Sequence, residues 1–171
     1  MKTKKLSLFF NFLIIIYGIS LISRADLFKD NLSGISLKYY YGMLIFGCLM
    51  FLGYYRVIDK LCNKHEKVIF ILSLIFAFSL PYFKNHIILA NIHIILCYIA
   101  FFLMNYIVMK VIKYYRIYNI KKSYRLFNIY LIMLMLMLII YIKVLSVVGM
   151  MEIVFLVGIS LIFGLINYEL W

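Results

Sequence analysis

Six apolar runs, separated by basic segments, govern what this chain can fold into. A helix needs about 20 mostly apolar residues to cross the hydrocarbon core of a bilayer. Runs near that length occupy 6–22, 39–55, 68–83, 87–109, 126–145 and 150–170. Each is continuous instead of alternating apolar with polar residues, which favours helices over barrel strands. Hydrophobic residues make up 67% of the 171 positions, too many for a soluble domain to cover with polar surface. The sequence therefore predicts an all-α integral membrane protein. It is expected to form a single polytopic domain over 1–171, a bundle of about six transmembrane helices. The only proline, Pro81, predicts a tight turn between the third and fourth spans.

Orientation is read from the basic residues, which gather on the cytoplasmic side of membrane proteins. Alternating the spans puts Lys2, Lys4, Lys5, Arg56, Lys60, Lys64, Lys67, Lys110, Lys113, Arg116, Lys121, Lys122 and Arg125 on the side of the termini. Arg24, Lys29, Lys38, Lys84 and Lys143 fall on the other. Both termini are expected to be cytoplasmic, with Tyr168, Glu169 and Trp171 at the interface. Abundant Ile, Lys, Tyr, Phe and Asn match an AT-rich genome, and the expected location is the plasma membrane of a bacterium. The basic start, the apolar run and Ser23-Arg24-Ala25 resemble a cleavable signal peptide. The run is long for one, so retention as a span is the expectation.

A net charge of +12 would suggest nucleic acid in a soluble protein. Here most of that charge lies where membrane topology wants it, and no nucleic-acid partner is expected. Between 110 and 125, Tyr residues interleave with Lys110, Lys113, Arg116, Lys121, Lys122 and Arg125. Beside a bilayer this pattern reads as a belt in which rings settle at headgroup level and cations meet anionic lipid.

Polar groups inside a membrane are expensive and carry most of the functional signal. The fourth run contains Asn91, His93, Cys97 and Asn105, with His86 just ahead of it. Seven-residue spacing puts His86 and His93 on one helical face, and Cys97 extends that stripe by one turn. Asn91, Tyr98 and Asn105 mark a second stripe. Glu152, near the start of the sixth run, lies at a comparable depth and can orient an imidazole. The expected polar cluster is His86, His93, Glu152 and Asn91, opening toward Arg24, Asp26, Asp30, Lys84 and Lys143. His93 and Cys97 form the one possible reactive pair, their four-residue spacing bringing them together on a helix. The bland alternative is interhelical glue, worth about 0.6 kcal/mol per hydrogen bond.

No catalytic, phosphate-cradling or metal-binding motif is present. Cys48, Cys62 and Cys97 are too dispersed for a disulfide framework or a zinc site. No cofactor or metal is expected. The leading expectation is a non-catalytic accessory, regulatory or immunity-type subunit that acts through helix–helix contacts with another membrane protein. Small-solute or proton-coupled transport through an outward polar cavity is the alternative. A membrane-embedded enzyme acting on a lipid or peptide is the third.

Overall fold

The computed structural model describes residues 2–24, 26 and 28–169, with side chains described for 8–24, 26 and 28–166. The helices are α1 (Lys2–Ile22), α2 (Leu32–Ile35), α3 (Tyr40–Leu61), α4 (Lys64–Ser79), α5 (Ile87–Tyr118), α6 (Ile120–Val144) and α7 (Gly149–Glu169). Ala25 of the cleavage-like tripeptide and the side chains of Lys2, Lys4, Lys5, Tyr168, Glu169 and Trp171 lie outside the described residues. Four helices, α3, α5, α6 and α7, are long and apolar enough to cross a membrane. In α1 the described apolar stretch, Leu8–Ile22, is shorter. The 16 residues of α4 rise about 24 Å, short of a hydrocarbon core of about 30 Å.

Every apolar run falls largely on one helix, but the basic segments between them are not loops. Arg56 and Lys60 lie on α3, Lys64 and Lys67 on α4, Lys110 to Arg116 on α5, and Lys121 to Arg125 on α6. Charge ends an apolar span without ending a helix, because the backbone hydrogen-bond ladder is indifferent to side-chain polarity. What breaks the chain is local. Asn63 caps α4 through a full capping box with Glu66. Asn119 ends α5 and caps α6 by accepting from the Lys122 N–H at 3.1 Å. The third run is shifted instead: α4 ends at Ser79, so Pro81 lies in the turn and not in the helix. The four-residue α2 was not expected, since Leu-Ser-Gly-Ile carries no periodicity.

The six longer helices form a closed ring in chain order. α1 packs on α3, α3 on α4, α4 on α5, α5 on α6 and α6 on α7, and α7 returns to α1. Consecutive helices run in opposite directions, so the connections at 62–63 and 119 share one end with the start of α1. The loops at 23–39, 80–86 and 145–148 share the other. One apolar core draws residues from all six. Tyr54, Phe46, Phe70 and Phe163 are fully buried in it. The Tyr54 hydroxyl lies 2.8 Å from Ser160 Oγ, and its ring meets Phe163 edge-on at 4.8 Å. Buried hydroxyls thus find partners inside the ring, as they must where water is absent.

Two glycines set how closely helices approach. A Cβ on Gly158 of α7 would lie 2.4–3.0 Å from Sδ, Cγ and Cβ of Met133 on α6. One on Gly47 of α3 would lie 2.8–2.9 Å from Cβ and ring atoms of Phe78 on α4. Small residues let backbones come together in this way without a paired motif.

At the end of the bundle bearing the start of α1, Glu66 ties α4 to α5. In the first turn of α4, ahead of the apolar run, it accepts from Lys110 Nζ at 2.6 Å and from the Tyr106 hydroxyl at 2.7 Å. Those two hydrogen bonds, with the Asn63 N–H, lower its pKa from 4.5 to about 2. A lowered carboxylate pKa stabilises the fold above the unfolded value and loses that contribution as pH falls through the folded one. The difference in thermal midpoint between wild type and Glu66→Gln is therefore expected to be flat above pH 4.5 and to shrink toward pH 2. A difference that stays constant over that range would refute the assignment.

Candidate functional site

Two members of the expected polar cluster, His93 and Glu152, each bind an element the sequence did not announce. Helix α2 sits in the 23–39 loop, and its first N–H groups have no partner within so short a helix. Asn31 supplies one cap, its Oδ1 accepting from the Gly34 N–H at 2.7 Å. Glu152 supplies another from the first turn of α7, its Oε2 accepting from the Leu32 N–H at 2.6 Å. The same loop is bound to the start of α7 twice more. Gly149 N–H donates to the Asp30 carbonyl at 2.6 Å, and Asn31 Nδ2 to the Val147 carbonyl at 3.3 Å.

From the other side, α5 delivers His93. Its Nδ1 lies 2.5 Å from the Leu80 carbonyl and its Nε2 2.9 Å from Ser33 Oγ. A carbonyl only accepts, so Nδ1 carries the hydrogen. In the neutral ring Nε2 is then the acceptor for the Ser33 hydroxyl. Cys97 Sγ, one turn along α5, is 3.4 Å from the same Nε2. Ser36 completes the attachment: its Oγ donates to the Ser33 carbonyl at 2.7 Å and accepts from the Tyr82 N–H at 2.8 Å. His93 therefore fastens α2 and the turn around Pro81 onto α5, with only 1% of its surface exposed.

The structure brings together some of the expected residues and separates others. His93 and Cys97 meet. Glu152 binds the same short helix as His93, but its contact is the Leu32 N–H and not the imidazole. His86 leaves the stripe: it precedes α5 with an extended backbone (φ −122°, ψ 92°), so helical spacing does not apply. It is exposed, with its ring edge-on to Phe83. Asn91 is on an exposed face of α5, as is Tyr98. Asn105 turns inward and accepts from the Tyr130 hydroxyl of α6 at 2.8 Å.

The loop charges do not assemble into one vestibule. Asp26 pairs with Lys29 at 3.3 Å, and backbone N–H donation from Phe28 lowers its pKa. Lys143 borders an apolar groove of about 370 Å³ between α6 and α7, whereas Arg24 borders a separate cavity between α1 and α3. Neither hollow is lined by His93 or Glu152.

Of the six expected lipid-contact cations, Lys113, Arg116, Lys121 and Arg125 are exposed. Lys110 is engaged by Glu66. Lys122 is buried, its Nζ 3.9 Å from the centre of the Tyr115 ring, a cation–π contact. Sequence reasoning missed Ser33, Ser36 and the Leu80 carbonyl, because a partner 60 residues away leaves no mark in local spacing.

Chemically, a serine hydroxyl on an imidazole whose second nitrogen is held by a carbonyl resembles a nucleophile beside an oriented base. Acyl transfer also needs N–H donors aimed at the developing oxyanion. The two amides flanking Ser33, those of Leu32 and Gly34, are already bound by Glu152 and Asn31. Among the described residues, no group of three or more His, Cys, Asp or Glu is placed to hold a metal ion. Comparison with protein-family models, with curated proteins and with solved structures finds no match.

Proposed function

We propose that this chain is a six-span protein of a bacterial plasma membrane, with both termini cytoplasmic. It acts as an accessory, regulatory or immunity-type subunit through helix–helix contacts with another membrane protein. The observation that carries this reading is how the intramembrane polar cluster is used. His93, Ser33 and Glu152 are engaged in fixing α2 between α5 and α7, and the two amides flanking Ser33 are bound. A solute path through the ring would have to displace Tyr54, Phe163 and their neighbours, which supports the same choice over transport. The cytoplasmic assignment draws on the positive-inside rule, the end carrying Lys64, Lys67, Lys113, Arg116, Lys121 and Arg125 being the more basic.

Helix α6 is the docking element in this reading. It packs mainly on its two chain neighbours, and 6% of its most apolar window is buried. Ile132, Met135, Leu136 and Ile139 face outward. A photo-crosslinking side chain at Met135 or Ile139, in cells making the protein at native level, is expected to give a discrete adduct with a second membrane protein. The same group at Phe9 or Phe12 on α1, also exposed, is expected to give lipid adducts alone. Lipid adducts from all four positions would overturn the proposal.

A further inference from the structure

At the end of the bundle carrying α2, a cavity of about 350 Å³ lies between the last turns of α1 and the first turn of α3. Two cations line it, Arg24 and Lys38, and both approach the ring of Tyr39. Arg24 Cζ is 5.4 Å and Lys38 Nζ 5.2 Å from the ring centre. An aromatic face holds each cation weakly by its quadrupole, and two like charges beside one ring repel each other. No carboxylate among the described residues forms an ion pair with either. Asp26, the nearest acid in sequence, is occupied by Lys29. The cavity thus concentrates positive charge with no ion-paired carboxylate among the described residues, while Ser20 and the Tyr17 hydroxyl add neutral donors.

We propose that this cavity binds the phosphate group of an anionic phospholipid. The charge arrangement alone would suit any phosphate; the walls select the lipid. Tyr41 and Ile45 belong to the lining and are 80% and 51% exposed, on the outer surface of α3. Further along the same two helices, Ile16 and Ile19 of α1 and Leu52 of α3 are exposed apolar residues. A headgroup held by Arg24 and Lys38 would leave its acyl chains beside the exposed apolar surface that Tyr41 and Ile45 begin, which inorganic phosphate does not need. Gly42 keeps the floor low: a Cβ there would lie 3.0 Å from Leu21 Cδ2 and 3.5 Å from the Tyr17 hydroxyl oxygen. The site is distinct from the basic segment 110–125, which lies at the opposite end of α5 and α6. It does not depend on the partner proposed for α6.

The test uses the full chain, purified in detergent and titrated with phosphatidylglycerol or phosphatidylcholine, with bound lipid counted by native mass spectrometry. Wild type is expected to retain one phosphatidylglycerol in preference to phosphatidylcholine. The double variant Arg24→Gln, Lys38→Gln is expected to bind it about thirtyfold more weakly, taking about 1 kcal/mol per interfacial cation. The equal charge change at the other end, Lys113→Gln with Arg116→Gln, is expected to leave that lipid bound. Equal retention by wild type and the Arg24/Lys38 variant would overturn the proposal, as would equal loss from both double variants. Excess inorganic phosphate is expected to leave the lipid in place; displacement would reassign the cavity to a free anion and defeat the lipid assignment. A photoactivatable phosphatidylglycerol on wild type is expected to label 39–41, and labelling confined to other segments would count against the site without any substitution.

Discussion

Replacing His93 by alanine is expected to destabilise the protein by about 2–3 kcal/mol, while His86→Ala stays within about 0.5 kcal/mol of wild type. The two histidines lie seven residues apart but in opposite circumstances. His86 is exposed and its loss leaves no buried group without a partner. Removing the His93 ring deprives the Leu80 carbonyl and the Ser33 hydroxyl of their partner at once. Two hydrogen bonds at about 0.6 kcal/mol each account for about half of the expected effect. The remainder comes from the cavity left by a ring that is 1% exposed and that the short α2 cannot collapse to fill. Thermal unfolding in bicelles, followed by circular dichroism, distinguishes the variants. Equal midpoints for His93→Ala and His86→Ala would show that the fastening of α2 contributes nothing. His93→Asn, whose amide can still donate to one carbonyl, is expected to fall between them.

The second large effect concerns glycines, and here its size depends on position. Alanine favours an interior helix position over glycine by about 1 kcal/mol, so a substitution with room around it should stabilise. Gly53→Ala has nearly that room: its Cβ would meet Ile14 Cδ1 at 2.5 Å, the end of a side chain that can rotate away, and nothing else within 3.7 Å. It is expected to change stability by less than about 1 kcal/mol. Gly47→Ala and Gly158→Ala are expected to lose about 1–3 kcal/mol each. Their new methyl groups would meet the Cβ and ring of Phe78, or Met133 out to its own Cβ, and a Cβ cannot move without its helix. A ranking in which Gly53→Ala is the most damaging would mean that the α3–α4 and α6–α7 seams are looser than they are drawn.

How much of this was legible in the sequence depended on range. The apolar runs located the longer helices because span length and continuity are local properties. Their ends were misplaced wherever charge was taken for a loop, as at Arg56–Lys67, where only Cys62 and Asn63 interrupt the helices. The pairing of His93 with Cys97 follows from four-residue spacing alone, and it is present. Grouping His86 with His93 assumed a helix through 86, but that residue is extended and the helix begins after it. Glu66 reads as a dispersed loop charge until α4 and α5 pack side by side and bring Lys110 to it, 44 residues further on. Nothing in Leu32-Ser33-Gly34-Ile35 distinguishes those residues from ordinary loop. Their helical turn exists because Asn31 and Glu152 cap it and His93 grips it.

Closure of the ring between α1 and α7 also shapes the life of the chain before it is complete. α1 packs on α3, the next long helix in the chain, yet its other flank is covered only once α7 is in place. The same last helix is also the second neighbour of α6. A chain halted before α7 therefore presents two open seams to the bilayer, one on each side of a single missing wedge. Gly18, whose absent side chain leaves room for Leu156, and Met133, which lies against Gly158, would both face lipid in that state. Docking of α7 removes both exposures together, so one helix sets the state of two surfaces at once.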